Sequence, residues 1–318
     1  TLVAFLIVSP LSITVGEEVI GGVIPTTYMG SQGMFVALIL CYLVAKVYCK
    51  ILSSKLKIKL PDSVPPMVSS SFESLIPVII TLVLVCSINY CFTLTSFGNI
   101  HALVNEIIQK PLLLIGTGLP ALLISQGLAQ LLWFFGLHGD QIVGSVMDPI
   151  LQTAGMENLS AYTAGDAVPY IITDQFRALF VMIAFMSLVI AILIVSKSNR
   201  LKGVGKVAVL PATFCISEPV VFGAPVVMNA MLFIPWVLSR PVFGLITWLF
   251  MKFGLCPYPT GVAIPWTTPP VSGFLATNSI MGAVVQIICL AIGVLMFIPF
   301  VKMIDKTYHQ EEIKTKEQ

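Results

Sequence analysis

The chain has 318 residues, 57% of them hydrophobic and only 10% charged, with a net charge of +2. Soluble domains carry about 25% charged residues, so a soluble enzyme or binding module is excluded: too little polar surface exists to cover this much apolar side chain. A mean hydropathy of +0.97 suits hydrocarbon as solvent, and no basic run is long enough to suggest nucleic acid.

The predicted elements follow from charge-free runs at Thr1–Gly16, Val19–Ala45, Ser74–Phe97, Pro111–Leu137, Ala178–Ser196, Pro219–Ser239 and Phe253–Val301. A membrane helix needs about 20 residues. Val19–Ala45, Ser74–Phe97, Pro111–Leu137 and Ala178–Ser196 each accommodate one span. The opening run begins apolar, with neither an initiator Met nor a basic segment before it, and reads as a piece whose earlier helices lie upstream. Phe253–Val301 is interrupted by CPYPTGVAIPWTTPP, which no continuous helix tolerates. It reads as a helix, an irregular stretch and a final span near Ile280–Val301.

Basic residues cluster at Lys46–Lys59, Lys197–Lys206 and Lys302–Lys316. The positive-inside rule places all three, and hence the C-terminus, in the cytoplasm. An even number of crossings must separate the first two clusters. Three runs lie between them, so either one crossing is hidden in residues 138–177 or one run does not cross fully. Between the apolar runs, Ile100, Leu103, Val104, Ile107 and Ile108 share one helical face. Residues 99–110 therefore predict a short amphipathic helix stopped by Pro111. It lies along the membrane surface, links two halves, or is an ordinary helix end packed on protein.

Irregular backbone at bilayer depth survives only inside protein or along a wet cavity. Two apolar regions are broken by Gly and Pro: residues 131–154 (LLWFFGLHGDQIVGSVMDPILQTA) and 205–235 (GKVAVLPATFCISEPVVFGAPVVMNAMLFIP). Half-length apolar pieces around a polar break suggest two re-entrant hairpins, the sequence pointer to a transporter's binding site. Each carries one ionisable residue of interest, His138 between Gly136 and Gly139, and Glu218 before Pro219. An ionisable group at that depth is functional by default; the plain alternatives are a satisfied structural histidine and a glutamate in a wet loop. Aromatic rings bind the C–H faces of sugars while carboxylate, imidazole and amide groups bind the hydroxyls. Trp133 lies just before His138, and Trp266 lies in the irregular PWTTPP stretch. Trp236 and Trp248 read as interface-belt residues, a role open to Trp266 as well. Asp140 and Asp148 flank the first break and read as hydrated; Asp166, Asp174 and Arg177 read as an external loop. The seven scattered cysteines form no CxxC pair and imply neither disulfides nor a metal site. Walker A, HExxH and GxSxG motifs are missing from the sequence. The fold expected is an all-α membrane protein, a polytopic helix bundle.

FFGLHGDQIVGSVMDPIL, CISEPVVFGAPVVMNAMLFIPWVL and AIPWTTPPVSGFLAT resemble the sugar-permease (EIIC) component of the bacterial phosphoenolpyruvate-dependent phosphotransferase system, in its lactose, cellobiose and diacetylchitobiose branch. The pattern E-P-x-x-F-G-x-P-x-x-x-N at Glu218–Asn229 is the most specific piece. The resemblance implies a homodimer in the bacterial cell membrane, with two re-entrant hairpins per chain. It divides the chain into the remainder of a dimerisation part (1–98), a linker helix (99–111), a sugar-binding part (112–304) and a cytoplasmic tail (305–318). It implies that a β-linked disaccharide is carried inward for phosphorylation by a separate EIIB protein, itself supplied by EIIA. The chain is then a transporter subunit rather than an enzyme, without cofactor. His138 and Glu218 match the residues that bind sugar hydroxyls, and Trp133 and Trp266 match aromatic residues lining that site. Read without the resemblance, the same pair suits a proton-coupled secondary transporter or an intramembrane acid–base enzyme.

Overall fold

The computed structural model describes residues 1–15, 18–56, 58, 60–61, 64–224, 226–264 and 268–316. Contacts divide the chain into two units, Thr1–Leu112 and Leu113–Gln318.

The first unit opens with α1 (Leu2–Val8), followed by strands β1 (Ser12–Val15) and β2 (Glu18–Gly21). The strands pair antiparallel, Ser12 opposite Gly21 and Val15 opposite Glu18. The run Val19–Ala45 does hold one membrane-length helix, but that helix covers Gly33–Leu52, and the first residues of the run belong to β2. Ile13, Val15, Val19 and Ile20 are β-branched, and such side chains favour strand over helix. The short α2 (Thr26–Met29) precedes α3 (Ser31–Leu52), and α4 (Pro66–Thr93) is the longest helix of the unit. α1 buries Ala4 and Val8; the Asn89 side chain of α4 donates to the Ile7 carbonyl at 2.9 Å.

The amphipathic segment is helical from α5 (Ile100–Val104) through a π turn at Asn105–Gln109 into α6 (Lys110–Gly116). Pro111 does not stop it. The helix widens just before the proline, a common way for a helix to absorb a local defect in its hydrogen-bond ladder. It ends at Gly116 instead, because Gly118 is extended (φ −73, ψ 148) and Pro120 sits in the first turn of α7 (Leu119–Phe134). The run Pro111–Leu137 is therefore broken and is not one continuous span.

The second unit is built on residues 176–195, a π turn at Phe176–Val181 leading to α9 (Ala184–Val195). Phe176, Phe180, Ile183, Ala184, Leu188 and Ala191 are fully buried there. Around it lie α7, α8 (Gly139–Ala164), α10 (Asn199–Thr213), α11 (Glu218–Gly223), α12 (Ala230–Lys252), α13 (Val271–Thr277) and α14 (Ile280–Lys316). α14 continues through the polar tail. Its Asp305 accepts from the backbone N–H of Lys197 (2.7 Å) and Ser198 (2.9 Å) and from the Ser198 hydroxyl (2.6 Å). Glu312 accepts from the N–H of Asn199 (3.1 Å) and Arg200 (3.0 Å). These carboxylates occupy the free donors at the start of α10, which is why the tail stays helical.

By length and composition, five helices among the described residues are able to cross a membrane: Gly33–Leu52, Pro66–Thr93, Phe176–Val195, Ala230–Lys252 and Ile280–Thr315. α8 has 26 residues, enough for about 39 Å of helix.

Candidate functional site

The site is assembled in the second unit by the turn between α7 and α8 and by the turns that join α10, α11 and α12. In the first, Gly136 adopts φ +79, a left-handed conformation open to glycine at little cost. α8 then starts so close to α7 that a Cβ on Gly139 would collide with the Ala129 carbonyl. This close approach brings the first residues of α8 beside the last turn of α7. His138 caps α8, its Nδ1 accepting from the Gln141 N–H at 3.3 Å. A ring that accepts at Nδ1 carries its neutral-form proton on Nε2, and Nε2 faces the second turn.

The second turn is framed by two non-glycine residues with positive φ, Cys215 (+59) and Met228 (+56). Such backbone is uncommon outside glycine and marks a turn fixed by its surroundings. Glu218 opens α11 with Pro219 behind it, where a proline needs no hydrogen-bond donor. Asn229 caps α12, accepting from the Met231 N–H at 3.0 Å. The Met228 N–H donates to the Phe134 carbonyl at 2.9 Å, tying the second turn to the first.

The result is His138 Nε2 at 3.8 Å from Glu218 Oε1, with side chains 42% and 48% exposed. That distance is too long for a hydrogen bond. Both groups keep free valence toward solvent and toward a third partner between or above them. A carboxylate accepts, and an imidazole donates or accepts, a set matched to vicinal hydroxyls. The Trp133 and His138 rings stack obliquely, centroids 4.4 Å apart and planes at 47°.

A family model described as "Phosphotransferase system, EIIC" matches residues 1–239. The oligo-beta-mannoside-specific EIIC component of Bacillus subtilis (strain 168) is 44% identical over 312 residues, which cover 96% of this chain and 71% of that protein. The cellobiose-specific EIIC component of Geobacillus stearothermophilus is 37% identical, covering 98% of this chain and 72% of that one. The crystal structure of the transporter ChbC, the IIC component of the N,N'-diacetylchitobiose-specific phosphotransferase system, superposes with a TM-score of 0.94. It is 36% identical, and the match covers 98% of this chain and 75% of that one. This chain belongs to the phosphotransferase system EIIC family. It is a permease component, a multi-pass protein of the bacterial plasma membrane with several apolar membrane-length helices.

The permease differs from the sequence expectations at several residues around this site. Trp133 is buried, only 2% exposed, and reaches the site through the His138 ring rather than by presenting a face of its own. Asp140 is not hydrated. Arg240, on α12, holds it with Nη1 on Oδ1 and with Nη2 on Oδ2 at 3.0 Å. The Trp133 indole N–H donates to the same Oδ2 at 2.9 Å. Arg240 closes the run Pro219–Ser239 from outside and drew no attention in the sequence. Its one legible signal is an arginine at the end of a charge-free run of 21 residues, Pro219–Ser239. Trp236, one turn before Arg240, is no belt residue: it is 1% exposed and donates to the Gln130 carbonyl at 3.1 Å. Gln130 returns a bond to the Trp236 carbonyl at 3.0 Å, locking α12 to α7.

Asp148 and Arg177 form a second ion pair, so this part of the expected external loop packs into the unit. Gln175 accepts from the Gly261 N–H at 3.0 Å and donates to the Val262 carbonyl. Asn158 donates to the carbonyls of Tyr170 and Pro259, both at 2.8 Å. The irregular stretch is thereby pinned at residues 259–262; Trp266 lies outside the described residues. Among the described residues no cluster of three metal-ligating side chains occurs.

Proposed function

We propose that this permease binds a β-linked disaccharide at the two turns, with His138 and Glu218 taking its hydroxyls, and presents it for phosphorylation by a separate EIIB protein supplied by EIIA. The observation that carries the reading is the His138–Glu218 pair, 3.8 Å apart and half exposed on two turns tied by a backbone bond. A pair that close yet unbonded bridges readily through a ligand hydroxyl. Trp133 backs the imidazole, and Trp266 is assigned to the same sugar site by the family resemblance alone. Relatives named for oligo-beta-mannoside, lichenan and cellobiose, and ChbC for N,N'-diacetylchitobiose, support a β-linked sugar as the class.

The segments α7–α8 and α10–α11 are re-entrant hairpins in this reading. α4 and residues 176–195 then supply the even number of crossings between the first two basic clusters, and α12 and α14 the even number between the second and third. All three basic clusters and the C-terminus face the cytoplasm, where EIIB works. Residues 1–98 contribute to homodimerisation through the largely uncovered helices α3 and α4, and residues 99–111 link them to the sugar-binding part at 112–304.

The test is uptake by the full-length protein in vesicles with cellobiose, N,N'-diacetylchitobiose and a mannobiose, with maltose as the α-linked control. Phosphorylated sugar accumulates only when EIIB and its phosphate donor are present, and dissipating the proton gradient leaves the initial rate unchanged. Concentration of free sugar without EIIB in response to a pH gradient would refute the reading and favour a proton-coupled carrier.

A further inference from the structure

The Asp140–Arg240 pair lies outside the sugar contacts just proposed. Its side chains are 12% and 2% exposed. A buried pair of this kind is poor evidence for stability, since desolvation offsets its attraction. A different role is suggested by what else the carboxylate does. Oδ2 accepts both from Arg240 Nη2 (3.0 Å) and from the Trp133 indole N–H (2.9 Å). The guanidinium fork fixes both oxygens at once, so the direction offered to the indole is fixed too. Asp140 also sits two residues after His138, in the first turn of the helix that His138 caps. Trp133 in turn lies against the imidazole, centroids 4.4 Å apart. A continuous line of contacts thus runs from α12 through Asp140 and Trp133 to the half-exposed His138.

We infer that Asp140, clamped by Arg240, is a positioning residue: it fixes the Trp133 indole as the floor beneath His138 and so sets the imidazole toward Glu218 and the sugar. Resting on the sugar-site reading only for its ligand, the inference makes Arg240 a remote determinant of affinity although it touches no sugar. Sites held to within a fraction of an ångström by a supporting shell lose binding when that shell slips.

Asp140→Glu keeps the charge and the partner but moves the carboxylate by one methylene. Arg240→Lys keeps the charge but loses the fork. Both variants of the full-length permease are compared with wild type in three measurements: melting temperature, cellobiose affinity, and the rate at which diethylpyrocarbonate modifies His138, followed by mass spectrometry. The expected result is a melting temperature close to wild type, affinity weaker by roughly tenfold or more, and an altered His138 modification rate. In a Trp133→Phe background, which lacks the indole donor, the same substitutions cost little further affinity. The inference is overturned if both variants bind sugar and modify at His138 as wild type does, or if their penalty is undiminished in the Trp133→Phe background. Should Asp140→Glu fail to fold, Arg240→Lys carries the same comparison. The modification rate needs no sugar, so a wild type that binds no β-linked disaccharide refutes the proposed function and leaves the positioning claim to be judged on His138 alone.

Discussion

Two polar pairs share the turn at residues 138–140 in the second unit, and they are built in opposite ways. Asp140 and Arg240 are sealed in protein and doubly bonded. His138 and Glu218 are half exposed and stop short of a hydrogen bond at 3.8 Å. The difference teaches where this fold keeps polar groups committed and where it keeps them available. Each sealed group has its partner fixed by packing, and removing one leaves the other stranded. Each open group is solvated when alone, so in the proposed site its removal is expected to act on a ligand rather than on the fold.

Substitutions sharpen that contrast. The largest effect is expected from Arg240→Ala, which strands a buried carboxylate at a cost of about 3–5 kcal/mol in stability. Thermal unfolding of the purified permease measures it. The paired replacement Asp140→Leu with Arg240→Met should recover most of the loss, because no charge is then left behind. Glu218→Gln should leave unfolding unchanged and weaken sugar binding by about 1.5–3 kcal/mol, the worth of a hydrogen bond to a charged group. Calorimetric titration with cellobiose checks this, and undiminished binding would remove Glu218 from the site. His138→Ala should cost less, about 0.5–1.5 kcal/mol of binding, as expected for a neutral donor. Overlapping isotherms for mutant and wild type would leave its flanking glycines with a packing role alone. The smallest effect is expected at the intermediate case. Asp148, 38% exposed against Arg177, should lose about 1 kcal/mol of stability or less on replacement by Asn, read as a small shift in melting.

The open pair was legible in the sequence and the sealed pair was not, for a physical reason. His138 and Glu218 are ionisable residues inside Gly/Pro breaks of long apolar runs, a local anomaly visible without a structure. Arg240 closes one charge-free run and Asp140 stands next to a glycine, so each alone passes as an ordinary boundary charge. Their pairing exists only because α12 packs beside the turn that leads from α7 into α8, a relation 100 residues long that no local pattern encodes. Trp236 was misread for the same reason: composition places tryptophan at membrane interfaces, and only tertiary packing supplies the Gln130 carbonyl that receives its N–H. The spans at α3, α4, α9 and α14 follow from apolar length alone. The strand pair β1–β2 did not, because a charge-free run rich in β-branched residues (Ile13, Val15, Val19, Ile20) suits a strand as well as a helix. The break before α7 lay in Gly118 and Pro120, inside a run whose length alone promised a span.

The bond from the Met228 N–H to the Phe134 carbonyl has a consequence for how such a site evolves. It is made by main-chain atoms, so nineteen of the twenty residue types at position 228 retain the donor and every type at 134 retains the acceptor. Proline alone deletes the donor at 228. Substitutions that tolerate the positive φ of residue 228 therefore keep this joint while the side chains around it change. A lineage is able to exchange one sugar for another by drift in the lining, with the spacing between the two turns inherited unchanged.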